Sequence, residues 1–248
     1  MIQYKSKNDL QINIAQIGIK IEEYMANRNL VLNAEKTEII LFNSDDISDL
    51  LFMNKVIQIS KVVKFLGVHI SHNRMFHDHI LITIIPRIRQ TYPTLFLLSK
   101  VISKVVKIVI FYSFILPHIL YAIPFIKICN KNHFVQLNRV YNKAVKILFC
   151  LPHRTASETL PSKTNIPNLY TIVNHHTALL SHKFFHHCLP NINKYFVRTP
   201  RNNFILDCHS DEKSTHNILA QTWNKLPSNI KTISNPATFK MHLQKLTK

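Results

Sequence analysis

The amino-acid sequence predicts an α+β fold in which one helix and a few antiparallel strands precede a mainly α-helical remainder. Three observations predict it. Apolar residues recur at helical spacing between Leu10 and Met25. Apolar, β-rich runs bounded by turn residues follow within positions 30–71, and from His77 onward the chain turns to long helical stretches.

The first helix is expected from Leu10 to Ala26, because Leu10, Ile14, Ile17, Ile21 and Met25 share one face. Asn27–Asn29 form a polar break. LVLN (30–33) and EIILF (38–42) then have strand character, the second ending at the turn-prone Asn43-Ser44-Asp45-Asp46. Lys55–Ser60 and Val62–Ser71 are two further strand candidates. Helices are expected at about 77–91, 94–116, 131–150 and 168–188, with Pro117 and Pro124 interrupting the apolar stretch after the second. The polar region 191–214 reads as a long loop, and helices at 215–224 and 236–247 close the sequence. Three regions are expected: 1–72, 73–150 and 151–248.

Charge narrows the choice of partners. Lys and Arg number 31 against 13 Asp and Glu, a formal +18. Nine of those acids lie before residue 79, and none occurs between Asp78 and Glu158. Arg87, Arg89, Lys100, Lys104, Lys107, Lys143 and Lys146 all fall in that stretch. Biased composition explains many lysines but not so long a gap in carboxylates, so a polyanion such as nucleic acid leads the candidates, ahead of an anionic membrane surface. Gly18 and Gly67 are the two glycines. Phosphate-cradling loops need glycine for close backbone approach, so P-loop and dinucleotide-binding classes are excluded.

Cys129, Cys150, Cys188 and Cys208 stand too far apart for a CxxC site, which suggests reduced, intracellular thiols. MIQYKSKND shows no apolar run of the secretory-signal type. The uncharged stretch 108–126 is nearly long enough to span a bilayer, but it contains Pro117, His118 and Pro124, so a buried helix is the expectation. His175, His176, His182, His186, His187 and Cys188 cluster near one helix. His182 and His186 share a face, yet Lys183 stands where HExxH needs its glutamate, and no metal is expected there.

Several runs also resemble known blocks. NLVLNAEKTEIILF is similar to the pattern N-x-L-x-L-N-x-x-K-T-x-x-x-x-F, and VVKFLGVHIS to V-K-F-L-G-V-x-L-D. HDHI stands where the family often has W-x-x-H-I. YSFILPHILYAIPF, LNRVYNKAVKILF and WNKLPSNIKTISNPATFKMHLQKL resemble the later blocks Y-x-S-x-I-x-P-x-L-x-Y-A, L-x-x-x-Q-N-K-A-x-R-I-x-F and W-N-x-L-P-x-x-I…F-K-x-x-L. Six blocks in order, from about Lys5 to Leu246, resemble the reverse transcriptase of non-LTR (LINE-type, jockey-like) retrotransposons.

The resemblance implies a palm remnant, then a helical thumb and a helical C-terminal region. It places the family's catalytic aspartates upstream of Met1, so the chain is expected to be an inactive C-terminal portion of an RNA-directed DNA polymerase. Mg²⁺ is then expected for the intact polymerase, and no cofactor for this chain. Asp45-Asp46 follows the LNAEKT block rather than preceding it, which favours a turn over the catalytic pair.

Lys36 matches the lysine suspected of protonating pyrophosphate, a general-acid role. Phe65, Leu66 and Gly67 match the hairpin that grips the primer end. Arg87, Arg89, Lys100, Lys104, Lys107, Lys143 and Lys146 are expected to follow the phosphates of an RNA/DNA template–primer. Trp223 in the terminal block is expected to anchor a helix rather than stack a base. The alternatives are a stand-alone basic nucleic-acid-binding protein and a small protein anchored through 108–126.

Overall fold

A computed structural model describes residues 6–42, 47–52, 55–73, 77–121, 123–186, 198–199, 202–206 and 215–246. The architecture is α+β, and the chain divides into two compact units, Met1–Asp78 and His79–Lys248.

In the first unit, α1 (Lys7–Ala26) starts because the Ser6 hydroxyl accepts the Asp9 N–H at 3.2 Å, with the Asp9 charge near the positive helix end. Its Leu10 and Ile14 pack with Leu41, Ile47, Leu50, Phe52 and Ile57. The hairpin of β1 (Asp49–Phe52) and β2 (Lys55–Gln58) supplies three of these, with Leu50 opposite Ile57. Gln11 fixes the helix to β1 twice: its Nε2 donates to Leu51 O at 2.5 Å and its Oε1 accepts Leu51 N–H at 3.0 Å.

Strand expectations here need correction. LVLN lies outside any strand: Leu32 packs against the core of this unit, but Val31 is 95% exposed and no neighbouring strand pairs with the run. EIILF contributes an isolated parallel bridge, Ile39 to Ile59. The strand at 49–52 had not been expected. Val62–Ser71 is not one strand but a hairpin, β3 (Val62–Phe65) and β4 (Val68–Ser71), with Phe65 opposite Val68. Leu66 (φ 46°) and Gly67 (φ 83°) both take the left-handed region, as a two-residue type I′ turn requires. The turn expected at 43–46 lies outside the described residues.

The second unit is helical. A π-helical segment, His79–Ile84, leads into α2 (Ile85–Ser99); α3 (Lys104–Ile110) runs through a second π segment, Phe111–Ile115, into α4 (Leu116–Leu120). Each π segment ends two residues before a proline, Pro86 and Pro117. A proline ring clashes with the carbonyl four residues back and donates no hydrogen bond, and a widened turn relieves both problems.

The expected break near Pro93 is absent. Pro93 is exposed on α2, so the carbonyl it leaves unpaired is on the side open to water, while Ile88, Leu95 and Ser99 remain buried. The interruption comes instead at 100–103, before the Ser103 cap of α3.

Short α5 (Ile123–Ile128) precedes α6 (Lys131–Leu148), which is capped by the Asn130 side chain. α7 (Leu160–Thr164) occupies a region with no predicted helix and ends at left-handed Asn165 (φ 61°). α8 (Leu169–His186) follows. Within the expected loop, β5 (Arg198–Thr199) pairs with β6 (Asn202–Leu206); the remainder of 191–214 lies outside the described residues. α9 (Thr215–Asn224), α10 (Ser228–Lys231) and α11 (Pro236–Leu246) complete the unit.

One core joins α2 to α6 and the start of α8, through Ile88, Phe111, Ile119, Tyr141 and Leu148. A second joins the end of α8 to α9 and α11, centred on Trp223, Phe185 and Phe239. The 108–126 stretch contributes Phe111, Ile115, Ile119 and Ile126 to the first core. Among the described residues, no helix is long and apolar enough to cross a membrane.

Candidate functional site

Helices α2 and α6 pack side by side, tied by the Tyr92 hydroxyl, which donates to Val140 O at 2.9 Å. Burial pushes the Tyr92 phenol up to about 12, against a smaller opposite pull from Arg89, so the hydroxyl stays a donor throughout the physiological range.

Beside this seam lies a groove of about 370 Å³ whose lining includes Phe96, Lys100, Lys143, Lys146, Cys150 and Leu151. Each lysine has a local reason for its position. Lys100 Nζ sits over the Phe96 ring at 4.6 Å from its centroid, and Lys143 Nζ over Tyr92 at 5.4 Å. Lys146 Nζ donates to His153 O at 2.9 Å. Lys107, from α3, places its Nζ 3.9 Å from Cys150 Sγ and over the Phe149 ring at 6.0 Å. Cys150 closes α6 in the left-handed region (φ 53°), with its thiol donating to Ser99 O at 3.4 Å. None of the groove's lining residues is a carboxylate.

The predicted basic residues therefore separate. Lys100, Lys107, Lys143 and Lys146 gather around one groove. Arg89 lies on the same face of α2, since positions 89, 96 and 100 fall within roughly 40° of one another around a helix. Arg87 does not. It is about 140° from Lys100 by the same count, and it lines a different cavity of about 420 Å³ with Leu98, Ile110, Phe114 and His118. Burial, and secondarily Arg87, lower the His118 pKa. Lys104 is exposed in the first turn of α3 and does not line the groove.

Two candidate sites belong to the first unit. Lys36 is exposed at the end of a 3-10 turn (Ala34–Lys36), its N–H donating to Asn33 O at 3.2 Å. Phe65 and Leu66 are exposed at the tip of the β3–β4 hairpin, with Gly67 beside them.

The histidine cluster has backbone partners. His182 is buried, its Nε2 2.7 Å from Ile233 O and its ring stacked on Phe239 at 4.1 Å. His186 Nε2 lies 3.1 Å from Lys231 O. With each Nε2–H donating to a carbonyl, the pair fastens α8 to the chain around α10. His187, Cys188 and Cys208 lie outside the described residues. Among the described residues, no group of three or more His, Cys, Asp or Glu is placed to hold a metal ion.

Trp223 is fully buried and stacks on Phe185 at 4.3 Å, so the terminal block's aromatic ring fills the second core. Its neighbour Asn224 accepts Leu206 N–H at 2.9 Å and donates to Leu206 O at 2.8 Å, extending β6 with a side-chain amide. Sequence reasoning missed the aromatic residues of the groove. The signal was Tyr92, Phe96 and Lys100 at intervals of four, two aromatic rings followed by a cation along one helix face.

His176 gives a pH prediction. Burial above all, then His175 and Lys240, push its pKa down from 6.5 to about 4. The folded chain thus refuses a proton that the unfolded chain accepts, so this group's contribution to stability is present above about pH 6.5 and lost as pH falls toward about 4. The urea midpoint should drop across that window, and His176→Gln should flatten the drop; an equally steep drop in the variant would refute the assignment.

Comparison of the chain with models of protein families, with curated proteins and with solved structures finds no match.

Proposed function

We propose that this chain is a segment of a non-LTR retrotransposon reverse transcriptase, and that its helical unit holds a nucleic-acid backbone without reading base sequence. The ordered blocks between Lys5 and Leu246 support the first half. The second half is carried by one observation: Lys100 at the end of α2 and Lys143 and Lys146 of α6 line a groove, with Lys107 of α3 beside its Cys150, in a stretch of sequence that contains no carboxylate. Ammonium groups without neighbouring acids present a field that phosphates can neutralise, with release of the counterions condensed on the nucleic acid. Lysine acts there as a point charge, suited to following a backbone rather than to bidentate recognition of a base.

No polymerisation step is assigned to these residues. The family's chemistry needs carboxylates holding two divalent ions, no position here matches its paired aspartates, and Lys36 has no leaving group to assist without them.

The test is filter binding of an RNA–DNA template–primer duplex across a salt series. With about four phosphate contacts, log affinity should fall against log salt with a slope of about −4, a loss on the order of a few hundredfold between about 50 and 200 mM. Binding that ignores salt, or no binding at the low end, would refute the proposal.

A further inference from the structure

We propose that the α2–α6 groove takes single-stranded nucleic acid, with an unpaired base on its apolar wall and the flanking phosphates on its lysines. The proposal rests on the nucleic-acid reading above and specifies its ligand.

The groove offers more than positive charge. Phe96, Ile147 and Leu151 line it together with the lysines, and Phe96 is 54% exposed. A duplex turns phosphates outward and keeps its base faces stacked inside, so it would satisfy the lysines and leave this apolar surface wet. An unpaired base has a flat face to lay against it, and aromatic–base contact adds to the backbone's electrostatic attraction without demanding a particular base. Size agrees. A groove of about 370 Å³ lies at the small end of ligand clefts, which run from about 300 Å³ upward, and has room for a single nucleotide's base and sugar, whereas paired strands could bring only their outer phosphates to its lysines.

Cations also flank the rings here: Arg89 and Lys100 stand on either side of Tyr92 and Phe96 along one side of α2, with Lys143 over Tyr92 and Lys100 over Phe96. A phosphate that draws Lys100 from its ring uncovers the face a base would occupy. The nearby Ser99 hydroxyl donates to Phe96 O at 2.7 Å and the Cys150 thiol to Ser99 O, so neither reads a base edge. Base-tolerant binding follows.

The experiment measures fluorescence anisotropy of the full chain with labelled oligothymidylate and with a blunt DNA duplex of equal length, in one low-salt buffer. The wild-type chain should bind the single strand at least several-fold more tightly. Phe96→Ala should reduce the ratio of single-strand to duplex affinity by about tenfold, the scale of one lost base stack, and Phe96→Trp should keep or raise it. Thermal melting followed by circular dichroism checks that both variants fold.

Equal or tighter duplex binding, or a single-strand preference that Phe96→Ala does not reduce, would overturn this inference and leave the broader proposal standing. Binding of neither probe would overturn both.

Discussion

Replacing Lys100, Lys143 and Lys146 together by glutamine should weaken binding of an RNA–DNA template–primer by about a hundredfold or more at about 50 mM salt. The slope of log affinity against log salt should flatten by about 3, one unit for each phosphate that is no longer neutralised. The effect is large because these ammonium groups share one groove and no carboxylate lines it, so their fields add on the same ligand. The cost to folding is small. Lys100 and Lys143 are exposed, and surface substitutions of this kind usually stay within about 0.5 kcal/mol. Lys146 loses its bond to His153 O, worth about 1 kcal/mol. Lys131, Lys163 and Lys245 together replaced by glutamine, all three exposed and outside the groove, control for the change in net charge. Filter binding of the triple variant and the control decides the matter; equal losses in the two would remove the groove from the account.

Trp223→Ala should destabilise the helical unit by about 3–5 kcal/mol, the usual range for deleting a fully buried large aromatic side chain. Trp223 is stacked on Phe185 with an interplanar angle of 22° and lies near Phe239, so α8, α9 and α11 all lose a packing partner. Neighbouring His182 and His186 hold carbonyls of the chain around α10, and collapse into the cavity would compete with those bonds. Total stabilities are commonly about 5–15 kcal/mol, so the loss is a large part of the whole. Urea unfolding followed by far-ultraviolet circular dichroism measures it, with Trp223→Phe expected to recover most of the loss. A cost below about 1 kcal/mol would mean that the ring does not organise this core.

Legibility followed periodicity. Helices at 131–150, 168–188, 215–224 and 236–247 were anticipated within a few residues, because each buries one continuous face whose spacing is written locally. Pro93 misled, since local rules end a helix there, whereas burial of Leu95 and Ser99 against α6 carries α2 past it. Strands fared worse. Val31 has the composition of a strand residue but no partner, while Asp49–Phe52, which begins with an acid soon after Asp45-Asp46, is extended because Lys55–Gln58 pairs with it. The candidate site divided in the same way. The run of basic residues without acids was visible in the sequence, but Arg87 was grouped with Lys100 although the two point to opposite sides of α2.

Composition, charge distribution and local spacing were enough to establish the α+β class, the helical second part, the basic stretch between Asp78 and Glu158, and the lack of glycine-rich phosphate loops. Each is a property of neighbours along the chain. Which lysines meet, which aromatic rings they cover and which histidines reach backbone carbonyls depended on how α2, α3, α6 and α8 pack. Those contacts join residues tens of positions apart, and the burial of apolar faces that brings them together is non-directional, so it leaves no local trace from which the pairing could be read.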